Sequence, residues 1–198
     1  MGQNHNRCAW VGEDPLYVNY HDTEWGVPAY DDETQFEFLI LEGAQAGLSW
    51  LTILKRRDGY RRIFHNFDVN RVAQMTEQEI QAALIDPGII RNKLKVRAAV
   101  KNAQVFLGIQ NEFGTFSRYI WGFVDGKPLQ NNWNEGAEVP AISNQSDKLS
   151  RDLKQRGMSF VGSTIIYAHM QATGMVNDHI VNCFRHSEAT EVKTKAVN

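Results

Sequence analysis

Two cysteines and two of the histidines stand at opposite ends of the chain: Cys8 with His21, and His179 with Cys183 four positions on. Two thiolates and two imidazoles are a complete tetrahedral ligand set for zinc. No third cysteine competes for that role. Other roles are open to the same residue types. Free cysteines are common small apolar core residues, and the pair could also form a disulfide. The short C-x2-C knuckle of many zinc sites is absent. The first residues, MGQNHNRCAW, contain no apolar h-region, so no secretory leader is expected and a cytoplasmic chain is the default. In a reducing compartment such Cys/His sets bind metal or do chemistry more often than they bridge. If the four converge, the middle of the chain must be a folded body that returns its ends to one place.

A second constellation lies close to the first. Trp10, Tyr17, Tyr20, Trp25 and Trp50 crowd the N-terminal quarter, and Glu42 sits among them, after Leu39-Ile40-Leu41 and before Ala44, Ala46 and a Gly47-Leu48 break. A carboxylate in that apolar setting is expected to be partly buried, which costs free energy unless it has partners. Solvated helical glutamate and ordinary aromatic core are the competing readings.

Charge is distributed unevenly. The chain of 198 residues carries a net charge of −2, with 42% hydrophobic and 22% charged residues, ordinary for a globular protein. That sum argues against a protein that grips polyanions with its whole surface. Residues 9–54 nevertheless hold nine carboxylates and no Lys or Arg, whereas residues 55–101 hold eleven basic against five acidic side chains. Solvated helix faces are the plainer expectation for Lys55, Arg56, Arg57, Arg61 and Arg62. Arg91, Lys93, Lys95, Arg97 and Lys101 follow an Asp-Pro-Gly-Ile-Ile-Arg turn between two helical stretches. A tight glycine turn of this kind points backbone N–H groups outward and forms an anion site. It resembles a helix-hairpin-helix element that holds duplex DNA by phosphates, although Pro-Gly turns also join helices with no such role.

The elements that must position these groups are almost all helical. Asp31 or Asp32 caps a long helix with Phe36, Leu39, Ile40, Trp50, Leu51 and Leu54 in helical period. Thr76-x-x-Glu79 is a capping box that opens a helix ended by Pro87-Gly88. A basic amphipathic helix with Ile90, Leu94, Ala98 and Val105 follows. Further helices are expected over 115–123, from Ser146 to Gly157, and over 160–172. Segment 125–145 is turn-rich and reads as the one long loop. No apolar run approaches the roughly 18 residues that would span a bilayer, so no membrane partner is expected.

Together these residues carry a resemblance. Asp14-Pro15-Leu16-Tyr17, Tyr20-His21-Asp22, Glu24-Trp25-Gly26-Val27-Pro28, Leu41-Glu42-Gly43-x-x-Ala46-Gly47-Leu48-Ser49-Trp50, Phe160-Val161-Gly162-x-Thr164 and Val176-Asn177-Asp178-His179 look like the constitutive bacterial DNA-3-methyladenine glycosylase I family. The match runs from about Cys8 to Cys183 with several motifs in register.

The resemblance implies an all-α helix-hairpin-helix DNA glycosylase fold over residues 1–198. A zinc-binding lobe would come from residues 1–30 and 160–186, and a hairpin-containing lobe from 31–159. The polar tail 185–198 is expected to be disordered. One structural zinc ion would be held by Cys8, His21, His179 and Cys183. Glu42 would be the central recognition residue and an electrostatic contributor to catalysis, in a base pocket lined or supported by Trp10, Tyr17, Tyr20, Trp25 and Trp50. Gly47 and Leu48 would wedge into the DNA, while Gly88, Arg91, Lys93 and Lys95 would meet it at the hairpin. The implied reaction is hydrolytic excision of N3-methyladenine from double-stranded alkylated DNA, without strand cleavage, by a monomer. Many relatives in the superfamily place an aspartate after the hairpin, and this family lacks it. Glu112 and Asp125 are the nearest acidic residues here, and neither sits in a convincing motif.

Overall fold

Helix α2, Asp32–Gln45, is the element on which the fold is assembled. Asp31 starts it by accepting the Thr34 N–H at 2.7 Å. Phe36, Leu39 and Leu41 on it are essentially inaccessible to solvent, and it packs on several helices that follow it in the chain. The computed structural model describes residues 6–191.

Before α2, Asp14 caps α1, Pro15–Thr23. After it, the helix expected to continue through Leu54 breaks. Ala46 leaves helical geometry, Gly47 takes φ +79°, and Ser49 caps a separate α3, Trp50–Leu54. Helices α4 (Arg57–Ile63), α5 (Val69–Ala73) and α6 (Glu77–Ile85) follow, and α6 opens on the expected Thr76/Glu79 capping box. The basic helix α7 runs from Lys93 to Phe113. It begins later than its apolar period suggests, because Asn92 accepts the N–H groups of Leu94 and Lys95 and caps it there. Ile90 therefore precedes the helix, and Leu94 is 71% exposed.

Helix α8 spans Phe116–Trp121, α9 Asn144–Gln155 and α10 Ser163–Ala172. The last starts three residues after Phe160, which has a positive φ and so lies outside the helix. The long loop holds a strand. β1, Leu129–Gln130, pairs in parallel with β2, Val176–Asn177, directly ahead of His179. The tail also departs from expectation, since Arg185–Glu191 forms helix α11. Asn177 Nδ2 donates to the His186 carbonyl at its start. The remainder of the expected disordered tail, like residues 1–5, lies outside the described residues.

The uneven charge becomes internal pairing. Lys55 meets Asp14, Arg57 meets both Glu24 and Glu37, Arg61 meets Glu37, and Arg62 meets Asp86. Lys55, Arg57 and Arg61 thus tie α4 and its approach to the acidic N-terminal stretch, while Lys55, Arg61 and Arg62 keep the solvent exposure expected of a helix face.

Candidate functional site

All four Cys/His side chains converge. Cys8 precedes a 3-10 turn, Ala9–Val11, His21 lies in the last turn of α1, and His179 and Cys183 follow β2. Each is buried, and their ligand atoms lie within 4.8 Å of one another. Cys183 Sγ is 3.4 Å from His21 Nε2 and 3.5 Å from His179 Nδ1, and Cys8 Sγ is 3.7 Å from His179 Nδ1.

The imidazoles are held from behind. Asp22 Oδ1 accepts from His21 Nδ1 at 2.8 Å, and the Trp25 carbonyl accepts from His179 Nε2 at 3.1 Å. Those bonds use the N–H of each ring and turn its lone-pair nitrogen toward the sulfurs, as a metal ligand requires. Burial works against ionisation of Asp22, but hydrogen bonds from Arg7 and His21 hold its carboxyl below the ordinary value. Both cysteines are free. Their mutual hydrogen bond and burial raise the Cys8 thiol, while Cys183 is held low by Cys8 and by the two histidines. The donor set and its buried, oriented geometry fit a metal ion.

Beside this cluster opens a cavity of about 450 Å³ that includes Cys8 in its wall. Trp10, Tyr17 and Trp25 line it, with Trp10 4.9 Å from each of the other two rings. Tyr20 and Trp50, 5.4 Å apart, also line it. Trp10 also contacts His21, and Trp25 contacts His179 at 4.5 Å, so the two histidines of the Cys/His cluster directly support these rings.

Glu42 projects into the cavity from α2 while only 4% exposed. Among the described residues its Oε2 has no hydrogen-bond partner, nor has Trp50 Nε1. Burial pushes the Glu42 carboxyl up to about 8. Unpartnered buried polar atoms are costly and rare, so an acceptor and a donor left open among aromatic rings call for a ligand. The complementary ligand is flat and cationic and donates a hydrogen bond.

Several wall residues were not foreseen. Gly136, Val139 and Pro140 bring the long loop onto the cavity, and Gln45, Gln171 and Asp178 line it too. Asp178 is 2% exposed and accepts from Asn131 and Trp133 on the long loop and from Tyr167 and Gln171 on α10. Its signal was present in the Asn177-Asp178-His179 string, but nothing local shows that a loop some 45 residues upstream would arrive on it.

The expected DNA contacts divide. Gly47 and Leu48 protrude on the turn between α2 and α3, with Leu48 41% exposed. Arg91 and Lys93 are exposed beside the Pro87-Gly88 turn. The Gly88 N–H is already donated to Asp86. Lys95 departs from its expected role: its ammonium donates to the carbonyls of Ala44 and Ala46 at 2.8 and 2.6 Å, which the open C-terminal end of α2 leaves in need of donors.

Comparison with known proteins agrees with this geometry. The family model described as methyladenine glycosylase matches residues 10–186. The chain is 47% identical over 177 residues to DNA-3-methyladenine glycosylase 1 of Escherichia coli (strain K12), covering 89% of this chain and 95% of that one. It superposes on a crystal structure of 3-methyladenine DNA glycosylase I with TM-score 0.89 at 47% identity, over 91% of this chain and 100% of the other. It also superposes with TM-score 0.87 at 38% identity, over 90% and 96%, on a tyrosine-to-phenylalanine variant of 3-methyladenine DNA glycosylase I in complex with 3-methyladenine.

Proposed function

The chain belongs to the methyladenine glycosylase family, and from that premise we propose that it excises 3-methyladenine from alkylated double-stranded DNA, with Glu42 and the aromatic cavity as the base-recognition site. The observation that carries this is the unpartnered Glu42 carboxylate facing a cavity walled by tryptophan and tyrosine.

N3 methylation gives the base a positive charge in DNA. Electron-rich ring faces attract such a cation, and the carboxylate of Glu42 accepts from the exocyclic amino group. Reaching the cavity requires the nucleotide to leave the stack, which is easier for a damaged base. Water then adds to C1′ of the deoxyribose as the bond to N9 breaks. The bonding pair leaves with the base, which departs neutral as 3-methyladenine, and one proton passes to solvent. Because the leaving group is already cationic it needs no protonation, and holding the extruded nucleotide oriented toward water supplies much of the catalysis. Glu42 contributes its negative charge at the base edge, where it holds the cationic base in the orientation for departure, while the developing positive charge lies on the deoxyribose. Among the described residues no lysine lines the cavity to form a Schiff base, consistent with a monofunctional enzyme that leaves an abasic site.

Zinc suits the Cys8, His21, His179 and Cys183 donors and would serve structure, since four protein ligands leave no open position for water. Its lobe would comprise residues up to about 30 together with 160–186. The turn between α6 and α7 acts as the phosphate-holding hairpin of a helix-hairpin-helix fold, with Arg91 and Lys93 at its exposed side. A monomer in the cytoplasm fits an enzyme that scans DNA. No helix among the described residues is long and apolar enough to cross a membrane.

The test is chromatography of the bases released when purified protein is incubated with methylated duplex. Free 3-methyladenine is the expected product, and release of no base by the wild type overturns the proposal.

A further inference from the structure

Lys95 stands on the first turn of α7, beside exposed Arg91 and Lys93, yet its side chain turns inward. Its ammonium bridges the carbonyls of Ala44 and Ala46 at the end of α2. Those two residues bracket Gln45, a cavity residue, and lead straight into the Gly47-Leu48 turn. The turn is otherwise held by local bonds: the Leu48 N–H donates to the Gln45 carbonyl at 2.6 Å, and Ser49 caps α3 through Thr52. Space around Gly47 is open, and an added Cβ there would meet no atom of the described residues within 4 Å. Beyond the turn, α3 opens with Trp50, again a cavity residue.

We propose, resting on the glycosylase reading above, that Lys95 is a positioning residue for base extrusion: it fixes the turn bearing Leu48 against the hairpin helix, and it does not bind phosphate. A cation suits that place because it meets the negative end of α2 and the carbonyls that no helical N–H can reach. One side chain thereby links the three parts that must act on one nucleotide. The α7 end grips the backbone, the Leu48 turn fills the vacated stack, and Glu42 on α2 receives the base. Small misplacements of such groups are costly in rate, about a hundredfold for a displacement of roughly 1 Å.

Lys95→Met keeps the apolar stem and removes the donors. Three measurements on it, beside Leu48→Ala and the double variant, decide the matter. Single-turnover excision from methylated duplex falls at least about tenfold for Lys95→Met, and the double variant loses no more than the worse single one, because both act through the same turn. The slope of log K against log salt for duplex binding stays at the wild-type value. Affinity for free 3-methyladenine, read by tryptophan quenching, is unchanged. A slope shallower by about 0.9, one phosphate contact, overturns the proposal, as do losses that multiply in the double variant. Loss of free-base binding overturns it as well, by making Lys95 a residue of the general fold. A wild type that releases no base overturns the glycosylase reading itself, whereas Lys95→Met excising at the rate of an active wild type overturns only this inference.

Discussion

Cys183 Sγ lies 3.4 Å from Nε2 of His21, closing 162 residues of chain onto one buried point. The same cluster supports Trp10 through His21 and Trp25 through His179, so the site that joins the two ends of the chain also sets two walls of the cavity.

Disrupting the proposed metal cluster should therefore act on stability before chemistry. Chelation, or Cys183→Ser, is expected to lower Tm by on the order of 10 °C or more, with excision lost as the fold loosens. Calorimetry and metal analysis on the same sample check this. A chelated protein that keeps its Tm and loses turnover would assign the metal to the reaction.

Glu42 sets a pH dependence whose sign follows from its burial. With the folded carboxyl raised to about 8 and the unfolded one near its ordinary value, the native state binds the extra proton between those limits, so stability falls as pH rises through that window and levels off above it. Glu42→Gln should remove this slope. The variant should match wild type near the acid end and exceed it in stability at alkaline pH by a few kcal/mol, because each pH unit of that window is worth about 1.4 kcal/mol. Denaturant melts across the pH range test it, and parallel curves for the two proteins count against it. In catalysis the ionised form is needed, so kcat/KM should climb with pH up to about 8.

Leu48 tests the division between extrusion and recognition. Exposed at the tip of its turn, it has little to lose in the free protein, so Leu48→Ala should stay within about 0.5 kcal/mol of wild-type stability. Excision from duplex should drop at least about tenfold, with free 3-methyladenine bound as before. Equal loss of both activities would place Leu48 in the cavity's own architecture.

Asp178 is the anchor of the cavity's loop wall. Asp178→Ala leaves four donors without an acceptor and is expected to cost about 3 kcal/mol, as breaking a buried polar network does. Faster proteolysis within 131–140 should accompany it. Stability within about 0.5 kcal/mol of wild type would show that the loop is held by other means.

Much of this was legible in the chain because the signals were local. Helix caps such as Asp31 and Thr76 were readable from neighbours a few positions away, and the aromatic cluster and Glu42 fell within one short segment. What escaped was long-range. The ion pairs that absorb Lys55, Arg57, Arg61 and Arg62 join segments that sequence order keeps apart. Lys95 looked like its exposed neighbours Arg91 and Lys93 because the carbonyls it serves lie 49 and 51 residues earlier. The loop that walls the cavity was invisible for the same reason, its two-residue strand being too short to show alternation. The Gly47-Leu48 break was local and legible, yet the apolar period carries across it to Leu54 and reads as one helix where the structure has two.

The central claim is that the open Glu42 carboxylate reads the edge of a methylated adenine. A crystal structure of the protein with 3-methyladenine bound tests it most directly. The predicted result places a Glu42 carboxylate oxygen at roughly 2.7–3.2 Å from the exocyclic amino nitrogen, with the base among the rings of Trp10, Tyr17 and Trp50. A base bound elsewhere, or bound in this cavity with Glu42 making no contact to it, would contradict the account.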